Sequence, residues 1–446
     1  NLNFAASDSR ARYFQIRGIG ERSGYQGTPN SSVGFLIDDI DYSGQGGIAT
    51  TFDVEQIEIH RGPQGSRIGA NALAGLIYIR TKEPTDMFEA NSEITLGSYG
   101  IKSTGLAFGG PFKENENISY RLAFRKDKED GFRKNLYLKQ SDTSRKDEST
   151  SRLKINWEPS EKTTVNLLVS RVDLNDPADI WTLDGSLNTL SDRPGMDSQK
   201  TSSYGLKIFQ DFEGFEIQSL TSSTDTDVIF SYDSDWGNED SWSPFIYDYF
   251  SETLRDRRTF GQEFRLVSDA ADLKRNKKIE WIFGVSYLEI KESNLKKDDG
   301  NYADPSDPYG PYASSSSSSS NYKSENFSLF GNIDYLLSET IKLSFGMRWE
   351  DWESEYSDTL GDEFNPSNNM SGGKISLIKK IENDTNIFAS IAKGYKQGGF
   401  NPGLVLASDS LNNNLLYDPE YLTNYELGIN SKVMDSRVNF SAVMFY

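Results

Sequence analysis

The chain has 446 residues, 36% apolar and 13% aromatic, with 47 basic against 67 acidic side chains and a formal charge of -20. It has no cysteine and a single histidine, His60, too few parts for a thiolate or histidine metal centre or for a Ser/His/Asp triad. The acidic balance leaves no basic surface to displace counterions from a nucleic acid, and a mean hydropathy of -0.62 with no long apolar run excludes a membrane-spanning helix.

The first 85 residues read as short strands joined by glycine-rich bends. FQIRGIGERS (14–23) and VGFLIDDIDYSG (33–44) are two of them, and IEIHR (57–61) and LIYIRT (76–81) flank a constrained connection. In that connection Pro63 fixes its own φ and removes a donor, while Gly62 and Gly65 take backbone conformations that side chains block. Gly69, Ala70, Ala72, Ala74 and Gly75 then let another backbone come close, as a tight segment pressed against a surrounding wall requires. Asp38, Asp39 and Asp41 could pass for paired catalytic acids, but a surface turn is the more economical account. His60, beside a tight turn with no second ligand at matching spacing, reads as a hydrogen-bonding structural residue rather than a metal ligand.

From about residue 88 the chain alternates apolar and polar residues in segments of roughly ten, the period-two mark of strands with two different faces. In IKLSFGMRW, Ile341, Leu343, Phe345, Met347 and Trp349 share one face and Lys342, Ser344, Gly346 and Arg348 the other. ISYRLAFRK (118–126) and RLKINW (152–157) repeat the pattern. About fifteen such segments begin near residues 88, 100, 116, 149, 162, 202, 214, 256, 279, 323, 340, 372, 384, 422 and 436. Short links (GGPFKENEN, EPSEKT, DFEGF, the longer DAADLKRNK, LSET, IENDT, MDSR) alternate with long ones near 128–147, 174–200, 227–252, 292–321, 354–370 and 396–421. Only GSYG at 97–100 breaks the long class.

One-sided loop lengths mean up-and-down antiparallel order, with tight turns at one end of the array and large loops at the other. Soluble sandwiches and propellers also alternate but do not require this, whereas transmembrane β-barrels have it. The loop at 227–252 carries Trp236, Trp242, Phe245, Tyr247 and Tyr249 among acidic residues. It reads first as an aromatic interfacial belt with a solvated tip, and second as a ligand surface that stacks on a planar or sugar-like molecule or chelates Ca²⁺. The serine run at 314–320 reads as flexible loop.

Three segments carry a family resemblance: IRGIG (16–20), VGFLIDDI (33–40) and above all VEQIEIHRGPQGSRIGANALAGLIYIRTKEP (54–84). KGYKQGGFNPG (393–403) and YDPEYLTNYELGINSKVMDSRVNFSAVMFY (417–446) agree with them. The chain resembles a TonB-dependent outer-membrane receptor, of the siderophore-receptor type, over essentially its whole length. The resemblance implies an all-β transmembrane antiparallel β-barrel with an N-terminal mixed α/β plug domain inside. The plug is expected at 1–85 and the barrel at 86–446, with the chain a fragment truncated at both ends, about fifteen of twenty-two barrel strands. The plug motif falls on Arg17, Gly18, Asp38, Glu58, Arg61, Gly62, Pro63, Gly65, Gly69 and Gly75; ligand binding is expected at Trp236, Trp242, Tyr247 and Tyr249.

By the same resemblance the protein, in the bacterial outer membrane, imports a scarce nutrient, a ferric siderophore before cobalamin, haem or an oligosaccharide. It needs no covalent chemistry and no cofactor or metal. Its implied partners are TonB, with the ExbB/ExbD energising complex, through an N-terminal box absent from this sequence, together with outer-membrane lipid, lipopolysaccharide and the small nutrient, and no nucleic acid. Arg61 and Glu58 are expected to pair with the inner wall, for which Arg121, Arg125, Lys342 and Arg348 are candidates. The rivals are a non-transporting glycan-binding surface protein and a passive porin without a plug.

Overall fold

A computed structural model of the protein describes residues 2–6, 10–21, 29–65, 69–112, 115–269, 278–381, 385–402, 415–433 and 437–446. The expected links at 270–277, 382–384 and 434–436, the tip of GGPFKENEN at 113–114 and the centre of the 396–421 connection lie outside the described residues, as do 66–68 of the motif stretch.

The N-terminal unit has a two-stranded hairpin, β1 (Leu2–Ala6) and β2 (Ala11–Ile16), and a four-stranded sheet. The sheet holds β3 (Val33–Ile37), β4 (Ile40–Asp41), β5 (Val54–Arg61) and β6 (Gly75–Thr81) in the order β4-β3-β6-β5, with β3 and β6 parallel. Among the described residues its helical content is two 3-10 turns, Gly46–Ile48 and Ala70–Ala72. No α-helix occurs among the described residues, so the expected α component is reduced to those turns.

Apart from a short strand at Glu363–Phe364 on its edge and two small two-stranded pairs in the loops (Lys134–Asn135 with Asn188–Thr189, Gly399–Phe400 with Leu416–Tyr417), the described rest is one antiparallel meander of fifteen strands, each paired with its neighbours along it. They are β7 (Glu89–Leu96), β8 (Lys102–Phe112), β9 (Asn115–Glu129), β10 (Lys146–Ser160), β11 (Thr163–Ala178), β12 (Gly195–Phe212), β13 (Phe215–Asp233) and β14 (Ile246–Ser268). There follow β15 (Ile279–Ala303), β16 (Tyr312–Ser338), β17 (Ile341–Asp358), β18 (Ser367–Ile381), β19 (Thr385–Lys396), β20 (Glu420–Val433) and β21 (Val438–Phe445). The sheet curves round the N-terminal unit, which touches it from β8, where Phe52 packs with Ala107, to β21, where the Arg17 guanidinium lies 3.8 Å from the Phe445 ring centre.

The two faces of the wall follow the alternation. In β17, Arg348, Glu350, Trp352, Ser354 and Tyr356 are buried toward the interior, while Phe345, Met347 and Trp349 are exposed on the outside. Across four strands Phe264, Val285, Leu329 and Trp349 stand directly opposite one another in an apolar row. Higher on the same face the row Arg258, Lys291, Lys323 and Glu355 is charged. This switch marks the upper edge of a lipid-facing belt. Phe345→Lys, at the middle of the belt, is expected to cost about 2–4 kcal/mol, and Asp351→Lys above it about 0–1; unfolding titrations in lipid vesicles measure both.

Two expected loops are corrected. The stretches 227–252 and 292–321 are mostly strand, and only 234–245 and 304–311 are turn. The serine run lies in β16, Ser314 to Ser320 pairing with Gly300 to Asn294 of β15. At about 3.4 Å per residue β16 spans some 90 Å, three times the hydrocarbon thickness of about 30 Å. Its first nine residues, Tyr312–Ser320, are exposed or half-buried on both faces and therefore carry no apolar face for a sequence pattern to report.

The main apolar core lies between the N-terminal unit and the wall. Ile16, Val33, Phe35, Ile40, Ile77 and Ile79 pack with Leu168, Val172 and Leu174 of β11.

Candidate functional site

The interface between the N-terminal unit and the wall is built on charge. Asp53, fully buried and left-handed (φ 57°), accepts hydrogen bonds from Arg121 Nε at 2.9 Å and Nη2 at 2.5 Å, and from Arg152 Nη2 at 3.3 Å. Asp38 accepts from the Thr81 backbone N–H at 2.9 Å and hydroxyl at 2.5 Å, with Lys154 Nζ at 3.2 Å; Lys154 also reaches Glu83 at 2.7 Å. On β12, Asp197 pairs with Arg12 and Lys207 with Asp39; on β10, Glu148 pairs with Arg10. Farther round, Arg17 meets Glu426 of β20 at 2.6 Å, and Glu21, which takes the Ser32 N–H and hydroxyl, meets Lys396 of β19 at 3.0 Å. Buried ions survive only when paired and hydrogen-bonded, so these contacts fix the unit in one seat.

The glycine-rich connection is pressed onto the opposite part of the wall. A Cβ on Gly65 would lie 3.3 Å from Gly394, and Pro63 packs against that same glycine of β19. Gly62 (φ 81°) faces Asn424 of β20, and Gly18 follows Arg17 in the turn that ends β2. Gly69 (φ 94°) abuts the buried network in which Glu350 accepts from Asn326 Nδ2 at 2.6 Å, Tyr395 hydroxyl at 3.0 Å and Arg348 Nε at 3.2 Å. Gly75 (φ 151°) sits where a Cβ would meet the His60 carbonyl at 2.3 Å.

Several expected pairings are corrected. Glu58 stays within its own sheet, 2.9 Å from His60 Nε2 and 3.9 Å from Arg80, and Arg61 is exposed at the end of β5. Of the four wall candidates Arg121 pairs with a carboxylate of the N-terminal unit. Arg125 bonds Glu93 and Asp127, Lys342 bonds Asp334, and Arg348 bonds Glu350, all within the wall. The alternation tells which face a residue takes but not its depth, and Lys342 stands near the short turn at 339–340. Within DDID, Asp38 (φ 52°) and Asp39 (φ 71°) form a left-handed turn leading into β4, with Asp38 and Ile40 buried against the wall while Asp39 and Asp41 stay half-buried, so it is not a free surface turn. The decisive Asp53, Arg152 and Lys154 were not singled out, although Arg152 and Lys154 occupy the polar face of RLKINW.

The aromatic hairpin between β13 and β14 stands above the belt. Trp242 lies 5.2 Å from Tyr247 and Tyr247 4.8 Å from Tyr249 between ring centres, so three of the four expected ligand residues form one cluster. Trp236 (φ 61°) is in no ring contact among the described residues and is exposed. Beneath them Asp235 accepts the Gly237 N–H at 3.0 Å and the Tyr249 N–H at 2.7 Å. Burial first, and then the neighbouring Asp235 carboxylate, push Asp233 up from 3.8 to about 8. A carboxyl whose folded value is raised binds its proton more readily folded than unfolded. Its stabilising contribution is therefore greatest below the ordinary value and is lost as pH rises from about 4 through about 8. Hydrogen-exchange protection of the Gly237 and Tyr249 amides is expected to fall between pH 6 and 9, and Asp233→Asn, which mimics the protonated acid, to flatten that profile.

Against known proteins, a family model described as "TonB dependent receptor-like, beta-barrel" matches residues 137–446. A second, "TonB-dependent Receptor Plug Domain", matches residues 1–76. The ferric yersiniabactin uptake receptor FyuA of Yersinia pestis is 18% identical in sequence with a TM-score of 0.79, covering 100% of this chain and 67% of its own. The siderophore receptor PiuA of Acinetobacter baumannii is 17% identical with a TM-score of 0.72, covering 100% and 67%. The vitamin B12 transporter BtuB of Vibrio vulnificus is 29% identical over 97 residues, 22% of this chain and 16% of its own length. The chain thus spans about two thirds of the solved receptors, and the stretch aligned to the curated transporter is a small part of that protein.

Proposed function

The chain belongs to the TonB-dependent receptor family of outer-membrane β-barrel proteins, and from that premise we propose that it imports a ferric siderophore into the periplasm by a TonB-driven movement of its plug. In this reading residues 1–85 are the plug and 86–446 the barrel. TonB, energised by ExbB/ExbD, supplies the work, and the plug motif from Arg17 to Gly75 seats the plug. The observation that carries the reading is the N-terminal unit held inside the curved wall by buried ion pairs at Asp53 and Asp38. A passive porin has no use for such a seat, and import by displacement needs no enzyme chemistry. The siderophore assignment is supported by the receptors that the fold matches, among them a ferric yersiniabactin uptake receptor and a siderophore receptor.

The test is accumulation by whole cells of a panel of ⁵⁵Fe-labelled ferric siderophores, with labelled cobalamin, haem and maltooligosaccharides alongside, before and after a protonophore. Energy-dependent uptake of one ferric siderophore is expected. Uptake that persists without the proton gradient argues for a porin. Energised uptake of another member of the panel keeps the transport class and replaces the solute, and the Trp242–Tyr247–Tyr249 cluster would then belong to a planar or glycan ligand.

A further inference from the structure

Above the lipid-facing belt β16 has an open edge. From Ser320 downward it is paired on both sides, with β15 and with β17. Thr359 makes the last contact on the β17 side: its N–H donates to the Ser319 carbonyl at 3.0 Å, and its hydroxyl accepts the Ser319 N–H at 3.0 Å. The chain then turns at 359–362, and from Tyr312 to Ser318 β16 is paired with β15 alone among the described residues. Alternate residues of a strand turn their backbone groups to the same neighbour. Because Ser319 turns both of its groups toward Thr359, Ala313, Ser315 and Ser317 turn theirs to that side as well.

Natural sheet edges are blunted by lysine, proline, a bulge or an inward charge. This one has none of them: ASSSSSS (313–319) is uncharged, free of proline, in unbroken register with β15, and exposed from Tyr312 to Ser317. Serine side chains are short and leave the approach to the backbone clear. A two-stranded ribbon with no buried apolar face is marginal alone, and a third strand would use the outward donors and acceptors. Charge selects the occupant. Asp304 and Asp307 stand at the upper end, where the Tyr312 hydroxyl donates to Asp307 at 2.8 Å, and Asp358 and Glu363 flank the turn at the lower end. Neither 303–321 nor 356–370 contains a lysine or arginine, and Lys296 and Lys297 of β15 are already paired with Asp298 and Glu252. Tyr309, 85% exposed, and Tyr312, 48% exposed, add ring faces on which a cation stacks.

We propose that the Tyr312–Ser318 edge docks an extended, basic segment of a partner protein, which joins the sheet as one more strand. Backbone hydrogen bonds along about seven residues, a length of about 24 Å, supply the hold. Lysine or arginine near the ends of the segment supplies the selectivity, and salt screens it. An acidic segment is repelled at both ends.

The test uses the entire gene product in detergent. Its probe is a short fluorescent peptide of alternating threonine and valine with arginine at each end, read by anisotropy. Saturable binding is expected, and Ser315→Pro combined with Ser317→Pro is expected to weaken it by about tenfold, the worth of two lost backbone bonds. Those prolines remove donors that face the open side and leave the bonds to β15, the one place where a sheet tolerates proline; an unchanged thermal unfolding curve checks the variant. The same peptide with every amide N-methylated keeps its charges and side chains and is expected not to bind, which covers the case in which the prolines disturb the ribbon. No binding by the unmodified peptide, or equal binding by the N-methylated peptide or to the proline variant, overturns the edge as a docking site. Equal binding by a peptide ended in glutamate overturns the basic partner. The chain has no cysteine, so Ser317→Cys reports on its own surroundings in whole cells. Ready labelling by a membrane-impermeant maleimide is expected. A thiol closed to that reagent means that the edge is already covered, and a disulfide to a second copy assigns the edge to self-association; either overturns the proposal.

Discussion

Asp53→Asn is expected to weaken the plug's hold on the wall by about 3–5 kcal/mol, the usual cost of removing one member of a buried ion pair. The magnitude follows from what stays behind. Arg152, 8% exposed, keeps its charge in the interior beside a neutral amide, and Arg121, 3% exposed, is left with only the half-exposed Glu89 at 3.6 Å. Asparagine is the informative replacement because Asp53 sits at φ 57°, a conformation that Asn tolerates and most residues do not; the loss then reports charge and not backbone strain. Urea titration of the protein in detergent, read by protease cleavage within residues 1–85, should show plug release at lower urea while the wall signal is unmoved. A shift worth less than about 1 kcal/mol would mean that Asp53 does not anchor the plug.

The second large effect is expected at Gly69→Ala. Gly69 has φ 94° and ψ -145°, a region that only glycine populates readily, and any side chain there pays about 1–3 kcal/mol in strain. In addition a Cβ would stand 2.6 Å from Glu350 Oε2 and 2.9 Å from Arg348 Nε, both in a buried network with no room to give. Overpacking of that kind adds about 1–3 kcal/mol, so the seat should weaken by about 2–6 kcal/mol in the same urea assay. Gly18→Ala is the matched control. Gly18 is also left-handed, at φ 85°, but a Cβ there meets nothing within 4 Å, and only a local penalty of about 1–2 kcal/mol is expected. Equal losses at the two glycines would show that close approach to the wall plays no part.

Both substitutions act at contacts between residues far apart in the chain, and such contacts are where sequence reasoning thinned out. The fifteen wall strands were legible because each must show grease to lipid and polar groups to the interior, and a period of two records that demand residue by residue, as in Phe345 to Trp349. The upper parts of β15 and β16 were not, since strands wetted on both faces carry no such record; their backbone pairing, Tyr302 with Tyr312 and onward through the serines, holds them instead. The turn at Asp38 and Asp39 could be foreseen but its burial could not, because burial depends on where Lys154 and Lys207 arrive from more than a hundred residues away.

By itself, then, the sequence determined the class of fold, the order of the strands, the face each side chain takes and the glycine-rich stretch that allows close approach, all of which follow from local periodicity and backbone freedom. Tertiary structure alone decided which charges meet. Asp53 took Arg121 and Arg152, Arg17 took Glu426, and Glu58 and Arg61 stayed on the plug. The physical reason is that an ion pair is fixed by depth and register in the space that the curved wall encloses, quantities that one strand's alternation does not contain and that appear only when the wall curves round the plug.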